Sequence, residues 1–190
     1  MGSEGPKAIT IHVTGFKKFL GVSENPTEKI ASNLRSYVEK RGLPSGLSLG
    51  SCTVLETAGE GAKSQLYQIR TSVELLFGGA TKFAIERQAM NEAHFRCPDQ
   101  LGWQPQRIPI KGFDVVEPDD AGRFVCNYVY YHSLRFAEQK GQKSLFVHVP
   151  LFSKINEDTQ MQFVVSLLEA NCNYLQANCN YLLSVFVARW

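Results

Sequence analysis

Between Ala8 and Val13 the chain is apolar and β-branched, and Thr14-Gly15 closes the run at once. A short run bounded by a turn reads as a buried strand. Asn25-Pro26-Thr27-Glu28 then sets a capping side chain before a proline at the first helical position, with Glu28 placed to reach back. An amphipathic pattern continues to Lys40, and Gly42 stops it. Leu47 to Glu56 alternates apolar and polar residues as a second strand would, Thr57-Ala58-Gly59-Glu60-Gly61 breaks it, and Ala62 to about Thr71 reads as a helix. Strand, helix, strand, helix leaves few architectures, because parallel neighbours need crossover connections. The order predicts an α/β fold with a mostly parallel central sheet and helices on its faces.

The second half continues this alternation with less clarity. Val73-Glu74-Leu75-Leu76-Phe77 either ends the preceding helix or forms a short buried strand before Gly78-Gly79. Lys82 to Met90 reads as a strand with Glu86 on the face opposite Ile85; alone, Glu86 is a solvated residue paired with Arg87. His94 to Pro109 reads as a long loop over the sheet's end. Phe113-Asp114-Val115-Val116 is a strand candidate, and Asp119 and Asp120 are capping residues for a helix whose Val125, Tyr128, Val129, His132 and Phe136 share one face. Lys143 to Val149 is the next strand, with His148 at its carboxyl end. Glu157 to Leu168 is a helix with Met161, Val164, Val165 and Leu168 at core spacing. Ala170-Asn171-Cys172-Asn173-Tyr174-Leu175-Gln176 then recurs almost unchanged from Ala177 to Leu183. Two copies are too few for a solenoid, so the division is a domain over 1–170 and a divergent tail over 171–190.

Composition excludes several functions. The 190 residues suit one ordinary domain, 44% hydrophobic and 20% charged with a net charge of +2, which argues against a polyanion partner such as nucleic acid. No apolar run has transmembrane length, and Met1 to Lys7 lacks the apolar core of a secretory signal, so the expectation is a cytoplasmic protein without a membrane partner. Five cysteines without framework spacing fit a reducing compartment. Neither Cys-x-x-Cys nor His-Glu-x-x-His occurs, so no metal site and no cofactor is expected.

Cys126 would sit in the first or second turn of its helix, where unpaired N–H groups and the helix dipole lower a thiol's pKa. Spacing alone reads it as a small core residue. Likewise His148 alone reads as a buried strand histidine, His12 as a core or edge residue and His94 as a loop residue, while His132 shares the helix face of Cys126 but lies more than a turn away.

Taken together, Val13-Thr14-Gly15-Phe16-Lys17-Lys18-Phe19, Ile85-Glu86-Arg87-Gln88-Ala89, Arg96-Cys97-Pro98-Asp99, Cys126 and Phe146-Val147-His148-Val149-Pro150 resemble the cytosolic pyroglutamyl peptidases, also called pyrrolidone-carboxylate peptidases, with the likeness nearest to plant members. The resemblance implies a three-layer αβα fold and a cysteine peptidase that removes an amino-terminal pyroglutamyl residue from peptides. It implies Cys126 as nucleophile, His148 as base and Glu86 as its orienting carboxylate, with Arg96 near the oxyanion. It also implies that Phe16, Phe19, Phe124 and Val125 line the lactam pocket. The likeness spans about Ile9 to Ala170 with two shortened regions, before Gly78 and after Ile110, where the family carries a strand and a helix. Lys17-Lys18 also replaces the family's acidic or small residue and proline. A shortened relative that binds without catalysis, or has no activity, is the alternative reading, and another thiol hydrolase of cyclic amides is a third. Oligomeric state is not legible.

Overall fold

The computed structural model describes residues 8–19, 23–43, 45–68, 73–79, 83–86, 89, 92–106, 108–109, 124–177 and 182–188. Strand β1 (Ile9–Phe16) leads to helix α1 (Pro26–Arg41). Asn25 caps α1 by accepting the Thr27 N–H at 3.1 Å, and Gly42, at φ 85°, closes it through Val38 O. Glu28 does not return to the cap. Its Oε2 accepts the Lys18 N–H at 3.1 Å and so ties the chain after β1 to the helix. β1 and α1 also approach closely at Gly15, where a Cβ would lie 2.0 Å from Thr27 O.

Strand β2 (Leu47–Leu55) pairs with β1 in parallel, and α2 (Gly59–Gln68) follows. The helix begins inside the glycine-rich stretch that reads as a breaker. Asp99, 40 residues later, supplies the missing cap: its Oδ2 accepts the Gly59 N–H at 2.8 Å. Val73–Gly79 is a strand, β3, and Ala84–Glu86 is a short strand, β4. The predicted loop from His94 is irregular over most of its length, and its ends are pinned by β5 (Glu92–Ala93) and β6 (Ile108–Pro109). Helix α3 (Val125–Lys140) joins β7 (Gln142–Val149) through Gly141 in the left-handed conformation, at φ 63°. Helix α4 (Glu157–Ala177) runs past the predicted Leu168 and through the first copy of the repeat; Leu182–Ala188 forms β8. Phe113–Val116, Asp119, Asp120, Arg87 and the shortened region after Ile110 lie outside the described residues.

The main sheet is ordered β2-β1-β3-β8-β7-β4, with further pairings β1–β8 and β3–β7. All its pairings are parallel except β4 on β7. Side-chain alternation assigns its two faces. Ile9, Ile11, Val13, Val147 and Val149 pack with Ile30, Leu34, Val38, Met161, Val164 and Leu168 from α1 and α4. Phe16, Leu55 and Phe146 pack with Ala62 and Leu66 of α2 and with Val125, Tyr128 and Val129 of α3. The result is the three-layer αβα arrangement, and full burial of each large side chain contributes about 1.5–3 kcal/mol.

Candidate active site

Two lengths of backbone bring the candidate thiol and imidazole to one end of the sheet. From Cys126 to Lys140 the helix advances about 21 Å. After the single residue Gly141, the strand from Gln142 to His148 returns about 20 Å. Cys126, at the start of α3, and His148, near the end of β7, therefore finish at similar heights, with α3 packed on β7. On β7, Val147 and Val149 point toward α1 and α4, so His148 and Phe146 point toward α3.

Glu86 arrives by a different route from the one expected. In a mostly parallel sheet the strand over Lys82 to Met90 is expected to run with its neighbours, but β4 runs antiparallel to β7, pairing Ala84 with His148 and Glu86 with Phe146. Glu86 and His148 are thus diagonal neighbours on one face, within side-chain reach. Glu86 Oε1 lies 2.7 Å from His148 Nε2, with His148 buried and Glu86 partly so. Ile85 points the other way and is 52% exposed. Glu86 is thus a partly buried partner of His148 and not a solvated strand residue; its pairing with Arg87 lies outside the described residues.

Cys126 is the second residue of α3, buried in the cluster that contains Phe16, Phe95, Val125, Tyr130 and Phe146. Its ionisation reverses the sequence expectation. Burial pushes the thiol well above its ordinary range, and the Glu86 charge pushes it the same way; its own backbone N–H at the helix start pulls it down and is outweighed. The helix start is there, but in a dry setting the thiol holds its proton until a base takes it.

Of the residues named for the apolar wall, Phe19 and Phe124 meet edge to face with centroids 5.4 Å apart, while Phe16 and Val125 are buried in the cluster against which Phe124 packs. Phe16 is fixed by Thr27, whose Oγ1 accepts its N–H at 2.8 Å. Phe124 is the N-cap residue of α3 and makes no side-chain capping bond; Phe95 packs on it at 4.7 Å between centroids. Arg96 is exposed, and its carbonyl accepts the Gln104 amide at 3.2 Å. His132 sits apart from Cys126, with Nδ1 3.2 Å from Tyr67 Oη, and His12 Nδ1 is 2.6 Å from Ser51 Oγ.

Three supporting residues escaped the sequence reading. Tyr130 donates its hydroxyl to Glu86 O at 3.3 Å, and its place four residues after Cys126 was the available signal. Phe146 lays its ring against His148 at 4.9 Å and was visible as its i−2 neighbour on the strand. Asp99, within the quoted Arg96-Cys97-Pro98-Asp99, accepts the N–H groups of Leu101 and Trp103 at 2.9 and 3.0 Å, besides that of Gly59. It fastens the loop that carries Phe95. Among the described residues no group of three or more metal-ligating side chains gathers, and no helix is long and apolar enough to cross a membrane.

The molecule is an αβα protein that gathers a thiol, an imidazole and a carboxylate at one end of a mostly parallel sheet. A family model described as pyroglutamyl peptidase matches residues 108–177. The pyrrolidone-carboxylate peptidase of Pyrococcus furiosus is 29% identical over 176 residues, covering 75% of this chain and 81% of its own length. That of Thermococcus litoralis is 27% identical over 168 residues, covering 73% and 74%. Among solved structures, the T. litoralis pyrrolidone carboxyl peptidase superposes with a TM-score of 0.73 at 22% identity, over 90% of this chain and 97% of that one. A mutant pyrrolidone carboxyl peptidase from P. furiosus gives 0.69 at 25%, over 87% and 99%. These likenesses agree with one another, and the chain is similar in sequence and in fold to the pyroglutamyl peptidases.

Proposed function

We propose that this protein is a cysteine peptidase that hydrolyses the bond following an amino-terminal pyroglutamyl residue. The observation that carries the assignment is the 2.7 Å contact between Glu86 and a buried His148 on the face that packs against the helix of Cys126. Glu86 holds Nε2, so proton exchange with the thiol falls to Nδ1. As substrate enters, His148 takes the Cys126 proton and the thiolate attacks the carbonyl carbon that joins the pyroglutamyl ring to the next residue. N–H groups at the start of α3 stabilise the oxyanion, with Arg96 assigned there by family resemblance. His148 protonates the departing amine, leaving a pyroglutamyl thioester. Water, deprotonated by His148, then attacks that thioester, releases pyroglutamate and restores the thiol.

The pocket suits a ring that is flat, neutral and without a free amine. Phe19 and Phe124 offer faces and edges, with Phe16 and Val125 in the cluster against which Phe124 packs. Peptides beginning with pyroglutamate are the substrates, and the chemistry asks for neither metal nor cofactor. The shortened region before Gly78 still forms a strand, β3, which favours the enzyme over the non-catalytic alternative. The test is release of aminomethylcoumarin from its L-pyroglutamyl amide by wild type and Cys126→Ser. Wild type should turn over and the serine variant should be at least about a thousandfold slower, since a hydroxyl is a far weaker nucleophile at this position. A folded wild type that does not release dye, or equal rates in the two proteins, rejects the assignment.

A further inference from the structure

Phe16 and Phe19 are separated only by Lys17-Lys18, and the backbone between them is held both from the start of α1 and from the end of β2. Lys17 N–H donates to Leu55 O at 2.9 Å, which carries the β1–β2 ladder past the end of β1. Lys17 O accepts from Asn25 Nδ2 at 2.9 Å and from Thr57 Oγ1 at 2.7 Å, both on buried side chains. Lys18 N–H donates to Glu28 Oε2 at 3.1 Å. The peptide unit joining Lys17 to Lys18 is therefore gripped at both ends, its carbonyl by a pair of donors and its N–H by a carboxylate. Such a unit cannot rotate without breaking one set of bonds or the other. Phe19 is the next residue along.

We propose that Glu28, together with Thr57, determines how tightly the site takes the pyroglutamyl ring, by fixing the Lys17-Lys18 peptide that aims Phe19 at Phe124. That the ring is pyroglutamyl rests on the peptidase reading. The two aromatics are braced differently. Phe124 is packed by Phe95, which leans in turn on Trp103 with centroids 5.1 Å apart. Phe19 is partly buried and takes its direction from the backbone behind it. A flat, neutral ring gains most from an aromatic already in place, because ordering a side chain on binding costs about two- to tenfold in affinity.

The contacts differ in weight. The ion pair of Lys17 with Glu56 joins side chains 45% and 35% exposed, where water screens it and its contribution is small. The bond from Lys18 N–H has a carboxylate as acceptor and is stronger than a neutral one. It needs a backbone N–H at position 18, which any residue but proline supplies. Asn25 also caps α1 through the Thr27 N–H, so its loss would be felt by the helix as well. Glu28 and Thr57 are the side chains that report on the bracket itself. Phe19 faces a part of the substrate that does not change during acyl transfer, so loosening it weakens binding and transition state alike and appears in KM.

The test compares wild type with Glu28→Ala, Glu28→Gln and Thr57→Val, with circular dichroism on each. The probes are the coumarin amide of L-pyroglutamate for turnover and 2-pyrrolidone, the bare lactam, titrated by NMR chemical shift for binding. Glu28→Ala should raise KM for the amide and Kd for the lactam about two- to tenfold, with kcat within about twofold of wild type. Glu28→Gln, whose amide oxygen still accepts the Lys18 N–H, should recover most of the loss. Thr57→Val is close in shape and should move both constants the same way. In a Lys18→Pro background, which lacks the N–H, Glu28→Ala should change the lactam Kd by less than about 1.5-fold. A lactam Kd equal in wild type and Glu28→Ala overturns the proposal, as does a loss confined to kcat or an undiminished loss in the Lys18→Pro background. A wild type that does not bind the lactam overturns it too. Glu28-dependent lactam binding without turnover of the amide rejects the peptidase assignment and leaves the bracket standing. If Glu28→Ala unfolds, Thr57→Val carries the same readings, and unfolding of both overturns the proposal because the contacts then serve the fold alone.

Discussion

Replacing Glu86 by glutamine removes one negative charge and leaves an amide oxygen able to accept the His148 Nε2–H. Geometry is preserved, so the loss is electrostatic. The group it acts on is 4% exposed and its own side chain 24%, so water screens the interaction only in part. A hydrogen bond to a charged partner contributes about 1.5–3 kcal/mol. Glu86 is assigned no contact with the substrate, so this stabilisation applies to the imidazolium that forms as His148 accepts the Cys126 proton. It therefore belongs to the transition state rather than to binding. At about 1.36 kcal/mol per factor of ten, kcat should fall about 10- to 150-fold with KM within about threefold of wild type. The assay is initial rates of coumarin release over a substrate series at neutral pH, with circular dichroism to show that the variant is folded. A kcat within threefold of wild type, or a loss confined to KM, would refute the assignment of Glu86 to His148.

Other outcomes follow from the same geometry. Without substrate, iodoacetamide at neutral pH should label exposed Cys97 well before Cys52, which burial pushes up to about 11, and before Cys126, raised by burial and Glu86; peptide mass spectrometry reads the order, and early labelling of Cys126 would contradict it. Gly15→Ala places a methyl group 2.0 Å from Thr27 O and should cost about 1–3 kcal/mol or more in urea unfolding; an unchanged midpoint would count against the close approach of β1 and α1. Burial raises the Glu60 carboxyl, but hydrogen bonds from Tyr128 and Lys63 outweigh it and leave the net shift downward. A lowered folded-state value means that Glu60 stabilises the fold above the ordinary carboxylate range and loses that contribution as pH falls through and below it. Glu60→Gln should therefore flatten the acid side of stability against pH, and an unaltered acid limb would contradict the network.

What the sequence made legible was local. Asn25-Pro26 and Gly42 mark α1 because caps act within a few residues, and the apolar run of β1 ends where Thr14-Gly15 turns. What it hid was paired at a distance. The start of α2 lies in a glycine-rich stretch because its cap is Asp99, far along the chain. Glu86 was legible as a residue of interest only through family resemblance, since nothing near it in sequence says that β4 runs against β7 or that His148 lies diagonally across. The thiol's ionisation was misjudged for the same reason: a helix start can be read from spacing, but a surrounding wall of Phe146, Tyr130 and Phe95 cannot. The tail was opaque because its pairing with β7 and β1 is set by residues in the sheet rather than by its repeat.

The near match between the span of α3 and the span of β7 behaves as a ruler with a single hinge at Gly141. One extra helical turn, about 5.4 Å, would carry the thiol past the imidazole unless the strand lengthened with it. One extra residue in β7 before Phe146 would turn His148 toward the hydrocarbon of α1 and α4 and present a valine to the thiol. Insertions here must therefore come in compensating sets or not at all, whereas the loops between the other elements carry no such arithmetic. Natural variation in chain length is expected to avoid the 24 residues from Val125 to His148, and an engineered tag or domain should be placed elsewhere.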